Sequence, residues 1–212
     1  AVEPDFLFAG WESNLTADAA GERGVLAGLG VGTYVAPAAC KGVDYMPNPL
    51  TFDDVFDSFT EAGEIFDARD SAAALVESQR AALAAISPDP REWSAVWYSS
   101  GDDSPFVGAG IGAPQMIMDA AGLTNAFGEV ADTWTSASWE SVVERDPDVL
   151  VLVDSTWNTA ASKIERLESD PVASQLTAVR ERRYLIVDFP ASEAGVRNVQ
   201  AVESIVEQLA DL

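Results

Sequence analysis

Gly108, Gly110 and Ala113 stand in the spacing G-x-G-x-x-A ahead of a helical stretch, the pattern that seats a pyrophosphate on a helix N-terminus. The strand before them ends near Tyr98, too early for a tight strand-to-helix turn, and Pro114 removes an N–H that such a site would use. A loop needing tight backbone turns is the simpler reading; a nucleotide-dependent α/β enzyme is the alternative. Adjacent carboxylates at Asp53-Asp54 and Asp102-Asp103 would suit a cation or acid–base work. With 35 acidic residues such pairs arise by chance, no D-x-[DN]-x-[DN]-G loop accompanies them, and solvated faces explain them. The chain has no histidine, which removes the common zinc sites and every Ser-His-Asp or Cys-His arrangement. No catalytic residue and no metal site is expected.

The aromatic residues say more. Trp11 follows a glycine that ends a strand, Tyr98 ends a strand, Trp134 precedes a helix and Trp157 follows the apolar run Val149–Val153. Ligands of α/β sheets bind beyond the carboxyl ends of the strands, so these four are the candidate ligand contacts. Trp93 and Trp139 read as core. Cys40 is either a small buried hydrophobe or half of a disulfide whose partner lies upstream of Ala1.

The elements that must position these residues alternate between strand and helix. Phe6–Ala9 and Thr33–Val35 read as short strands around a helical stretch from Gly21 to Leu29, and Cys40 to Leu50 as a loop. Thr51 with Asp54 resembles a capping box opening a helix to Ile65. A long helix runs from about Ser71 to Ile86 and stops at Ser87-Pro88-Asp89-Pro90, the best boundary in the chain. Beyond it come strand Trp93–Tyr98, helix Pro114–Ala121, helix Ser138–Arg145, strand Val149–Val153, helix Thr159–Glu168, strand Tyr184–Val187 and a final amphipathic helix. The expected fold is α/β: two lobes with parallel sheets covered by helices, joined by a long helix, with the first lobe incomplete. Residues 1–70 form the partial N-terminal lobe, 71–90 the linking helix and boundary, and 91–212 the C-terminal lobe. Two short parallel strands do not make a self-sufficient sheet, so an N-terminal portion is expected to be missing.

The net charge of −23 repels phosphate backbones and anionic lipid, which argues against nucleic acid and direct membrane binding. No apolar run is long enough to span a bilayer, and Ala1-Val2-Glu3-Pro4 carries no signal-peptide pattern.

Several stretches, in order, are similar to a known family. Ala120-Ala121-Gly122-Leu123-Thr124-Asn125 is followed by Trp134, by Glu140 six residues on, and by Asp146-Pro147-Asp148-Val149-Leu150-Val151. Leu176-Thr177-Ala178-Val179 with Arg183-Tyr184, and Gly195-Val196-Arg197-Asn198 at the last helix, continue the match, and Pro4-Asp5-Phe6-Leu7-Phe8-Ala9 resembles a first-lobe strand. The whole resembles the class III substrate-binding proteins of ABC importers for ferric siderophores, haem and vitamin B12. That resemblance implies a binding protein, not an enzyme, with the ligand in a cleft between lobes. It implies no cofactor other than an iron chelate carried as cargo. It also implies an importer permease as partner, a monomer, and a site of action outside the cytoplasm with a lipid anchor upstream of this chain. Glu140, in the first turn of a helix capped by Ser138, is then the importer-docking carboxylate, with Glu22 as its first-lobe counterpart. An extracytoplasmic location favours a disulfide at Cys40.

The expected ligand is a ferric siderophore of the hydroxamate type, because an acidic protein disfavours polyanionic catecholates. Arg197 is the basic residue placed near the cleft. Cobalamin is the alternative, and haem follows it, since no histidine is available as axial ligand and Tyr98 or a methionine would have to serve.

Overall fold

The computed structural model describes residues 3–40, 42 and 45–212. Ala1 and Val2 of the opening, and Lys41, Val43 and Asp44 of the Cys40–Leu50 loop, lie outside the described residues.

Strand β1 (Phe6–Ala9), helix α1 (Arg23–Gly28) and strand β2 (Gly32–Val35) form a βαβ unit, with β1 and β2 parallel from Phe6↔Gly32 to Ala9↔Val35. Its small core is Ala9, Leu15, Leu26, Val35 and Ala39, with Cys40 half-buried at the margin and its thiol free. Helix α2 (Phe52–Ile65) starts at the expected capping box: Thr51 Oγ1 accepts from the Asp54 N–H at 3.2 Å, and Asp54 Oδ2 accepts from the Thr51 N–H at 2.8 Å. Helix α3 (Arg69–Ala85) crosses close to α2 where Gly63 meets Ala72; a Cβ at Gly63 would lie 2.6 Å from that of Ala72. Leu50 and Val55 belong to the core of the large sheet. Helix α2 therefore turns its apolar face to the larger sheet, with Phe52 and Phe59 also packed against that core.

The large sheet contains β3 (Ser94–Ser100), β4 (Phe106–Gly108), β5 (Thr124–Asn125), β6 (Trp134–Ser136), β7 (Val149–Asp154) and β8 (Tyr184–Asp188). Its order is β6-β4-β3-β7-β8, with β5 also paired to β3. Strands β3, β5, β7 and β8 are parallel, whereas β4 runs antiparallel to β3 and β6 antiparallel to β4. The expected parallel strands form its centre, and the short strands β4 and β6 add antiparallel pairing at one edge. Strands of three residues, Phe-Val-Gly and Trp-Thr-Ser, carry too little alternation to register in the sequence.

Helices α4 (Ala113–Ala121) and α9 (Asn198–Ala210) cover one face. Helices α5 (Trp139–Arg145), α6 (Ala160–Ser169) and α7 (Thr177–Arg180) cover the other, and α8 (Phe189–Ser192) follows β8. In β7, Val149, Val151 and Val153 face α4 and α9 while Leu150 and Leu152 face the opposite layer, so both sides of the strand are buried. That explains the unbroken apolar run. Asp148 ties this strand to its neighbour: its Oδ2 accepts from Ser94 N at 2.8 Å and Ser94 Oγ at 2.7 Å. Asp146 caps the turn before it, accepting from Thr177 N and Oγ1, each at 2.7 Å. The Asp-Pro-Asp stretch is thus a structural fastener. Among the described residues no helix is long and apolar enough to cross a membrane.

Candidate ligand cleft

The carboxyl ends of the two parallel arrays face one another across a cleft. Beyond β1 the chain turns at Trp11, whose N–H donates to Asn14 Oδ1 at 3.0 Å, fixing the start of a short turn of helix. Beyond β2 lie Ala36, Ala38 and Ala39. These line a cavity of about 200 Å3 with Phe8 and Trp11 on one side and Ala113, Thr133, Trp134, Glu193 and Ala194 on the other. A wider depression of about 530 Å3 opens beside it, sharing Trp11, Thr133, Trp134 and Glu193 and adding Ser99, Ser100, Phe106, Asp132 and Phe189. Among the described residues lining either space there is no lysine or arginine.

Trp134 is held by its neighbours. It pairs with Gly108 across β4 and β6, and its ring stacks on Phe106 with centroids 5.7 Å apart and planes 13° from parallel. The glycine pattern at 108–113 makes this packing possible and leaves no room for a phosphate. A Cβ at Gly110 would overlap the Gly128 carbonyl, and one at Gly112 would lie 2.9 Å from the Thr133 carbonyl. Backbone meets backbone here, which is the physical reason for glycine.

Trp11 and Trp134 come together as expected. Tyr98 does not join them. It is 2% exposed, packed edge-on against Trp139 at 5.2 Å, with its hydroxyl donating to the Gly101 carbonyl at 2.8 Å. Its place in the alternation of β3 points it into the α5–α6 layer, where it lines a separate depression with Trp157 and Lys163. Trp157 is 74% exposed at the tip of a turn that Lys163 pins from below, its Nζ donating to the carbonyls of Val153 at 2.6 Å and Asn158 at 2.8 Å. Its indole meets Phe189 edge-on at 5.2 Å, which puts it one ring outside the cleft. Arg197 lines a separate depression with Asp188, Gln200 and Ser204. The turn before α9 directs it away from the cleft, which corrects its expected place. Trp139 is buried, as expected; Trp93 is half-buried between the guanidinium groups of Arg91 and Arg183, at 4.0 and 4.7 Å. Glu140 lies exposed in the first turn of α5, where Ser138 Oγ accepts from the Ser141 N–H, and Glu22 is exposed at the start of α1. Among the described residues no group of three or more Cys, Asp or Glu is placed to hold a metal ion.

Glu193 is the residue that sequence reasoning missed. It follows α8 and borders both spaces. Asn198, 1% exposed, shapes its loop: Nδ2 donates to the carbonyls of Glu193 at 2.7 Å and Ala191 at 3.1 Å, while Oδ1 accepts from the Gly195 N–H at 2.7 Å. Burial pushes the Glu193 carboxyl up to about 7.

Residues 31–191 match the family model described as periplasmic binding protein. The chain belongs to the periplasmic binding protein family. Similar solved structures of this family include a periplasmic binding protein from Veillonella parvula, 26% identical, with TM-score 0.85, covering 99% of this chain and 71% of that one. The ABC-type Fe3+-hydroxamate transport system structure from Saccharomonospora viridis is 28% identical, with TM-score 0.81, covering 97% and 69%. A vitamin B12 binding protein of Vibrio cholerae shares the fold at 18% identity and TM-score 0.64, covering 98% and 74%. No curated protein matches. As a periplasmic binding protein the chain is a substrate-binding component of an ABC transporter, not an enzyme, and works outside the cytoplasm.

Proposed function

We propose that this periplasmic binding protein carries a ferric siderophore of the hydroxamate type in the cleft between Trp11 and Trp134. The observation behind this reading is the lining: aromatic and small apolar side chains, hydroxyls and the carboxylates of Asp132 and Glu193, with no basic residue among the described ones. Three hydroxamates neutralise Fe3+, so such a chelate enters an acidic cleft without electrostatic cost. A tris-catecholate complex is trianionic and meets repulsion there. Further support comes from the 28% identical Saccharomonospora viridis structure, described as part of an Fe3+-hydroxamate transport system. Delivery to the permease is assigned to Glu140, with Glu22 as its counterpart on the first lobe.

Quenching of tryptophan fluorescence with a ferric tris-hydroxamate, a ferric tris-catecholate, cobalamin and haem tests the reading. The hydroxamate is expected to bind most tightly, and Trp134→Ala to weaken it about 10- to 100-fold, the loss of one well-packed aromatic contact. Tighter binding of the catecholate, or of cobalamin or haem, overturns the assignment.

A further inference from the structure

Glu193 borders the same cavity as Trp11 and Trp134, and its position is built rather than incidental. A buried asparagine spends all three of its hydrogen bonds on the loop that presents it. The inner cavity it borders, about 200 Å3, is below the usual volume for a whole small-molecule ligand. It is narrow and apolar, walled by Ala36, Ala38, Ala113 and Ala194, with the glutamate as its single ionisable group among the described residues. An aliphatic chain ending in a positive charge matches that shape and chemistry, and the outer depression of about 530 Å3 is left for the bulk of the ligand.

We infer that Glu193 is a specificity-determining counter-charge, selecting ferric hydroxamates that carry a free ammonium arm seated in the inner cavity. The inference rests on the hydroxamate reading above. Trp11 and Trp134, which border the same space, add cation–π attraction to the ion pair. Asp132 lines only the outer depression, while Arg197, four residues after Glu193, faces the separate depression beside α9. Because burial holds the Glu193 carboxyl up at about 7, an arriving ammonium draws its proton off near neutral pH. Binding is therefore linked to proton release.

The test compares a linear ferric tris-hydroxamate bearing a terminal amine with the same compound N-acetylated, by fluorescence titration and by calorimetry in buffers of different ionisation heat. At pH 8 the amine form is expected to bind at least tenfold tighter. The difference should shrink at pH 5.5 and vanish in Glu193→Gln, with circular dichroism confirming that the variant is folded. At pH 7 the amine form alone should release about half a proton per ligand bound. Equal affinities in the native protein at pH 8 overturn the inference and leave the hydroxamate reading standing, as does a preference that survives in Glu193→Gln. If neither compound binds, the hydroxamate reading fails and the inference falls with it.

Discussion

Trp134 stands on a six-stranded sheet whose central strands are buried on both faces, with its ring stacked on Phe106 and its neighbour Glu193 fixed by a buried asparagine. Across the cleft, Trp11 stands on a two-stranded ribbon over a core of Ala9, Leu15, Leu26, Val35 and Ala39. Both walls present an aromatic ring to the cleft, Trp11 just past the carboxyl end of the parallel strand β1 and Trp134 at the start of β6, which pairs antiparallel with β4. They differ in what holds the ring still. The large-sheet wall is preorganised by dense packing, so its geometry is set before a ligand arrives. The ribbon wall depends on a core of small volume, and Phe8, which joins it at the cavity, is 46% exposed, stacked on Tyr34 and tilted against Phe66. Stability concentrates in one wall and adaptability in the other.

The largest test of that contrast is in the cores. Leu152→Ala, at a fully buried site in the large sheet, is expected to lower the unfolding free energy by about 3–4 kcal/mol. Leu26→Ala, under the ribbon, is expected to cost about 2 kcal/mol and to raise amide exchange in residues 6–35 while leaving the large sheet protected. Equal costs and global exchange in both variants would break the comparison.

Asn198→Ala probes the preorganisation of the large-sheet wall. It strips partners from two carbonyls and one N–H in a loop that is otherwise closed, so a loss of about 2–3 kcal/mol is expected in chemical denaturation. Ligand affinity should fall with it, because Glu193 loses its support.

A third test uses pH. The Glu193 carboxyl rises from an ordinary glutamate value of 4.5 in the unfolded chain to about 7 in the fold. The folded state therefore holds the proton more tightly between those values, and this group's contribution is full below pH 4.5 and lost as pH rises to 7. Glu193→Gln is expected to match the native protein near pH 4 and to exceed it by about 1–2 kcal/mol at pH 8, allowing for the open side of the cleft. Thermal melts at the two pH values decide this; a variant less stable at pH 8 would show that the carboxylate is held by a partner rather than strained by burial.

The smallest effect on stability belongs to Glu140. Glu140→Ala removes a first-turn acid from α5 and should cost no more than about 0.3–1 kcal/mol. If the outer surface of the large-sheet lobe docks on the permease, the same substitution abolishes uptake with ligand affinity intact. Normal uptake would remove Glu140 from that role.

The sequence alone carried the strand and helix order wherever the signal is local. The capping box at Thr51 and Asp54, the apolar run at 149–153 and the stripe of α9 each depend on a few neighbouring residues, and each lies where periodicity put it. Composition also set aside histidine-dependent sites within these residues, since none of them is a histidine. The tertiary structure alone decided which aromatics border the cleft. A central strand buried on both faces gives no hint of which side a given ring takes, and one step in the alternation sends Tyr98 into the α5–α6 layer. Glu193 gave no signal at all, as one of 35 acidic residues with an unremarkable neighbourhood in the chain. Its environment is assembled from β1, β2, α4 and β6, which are remote in sequence, and the burial that raises its carboxyl exists only once those pieces meet.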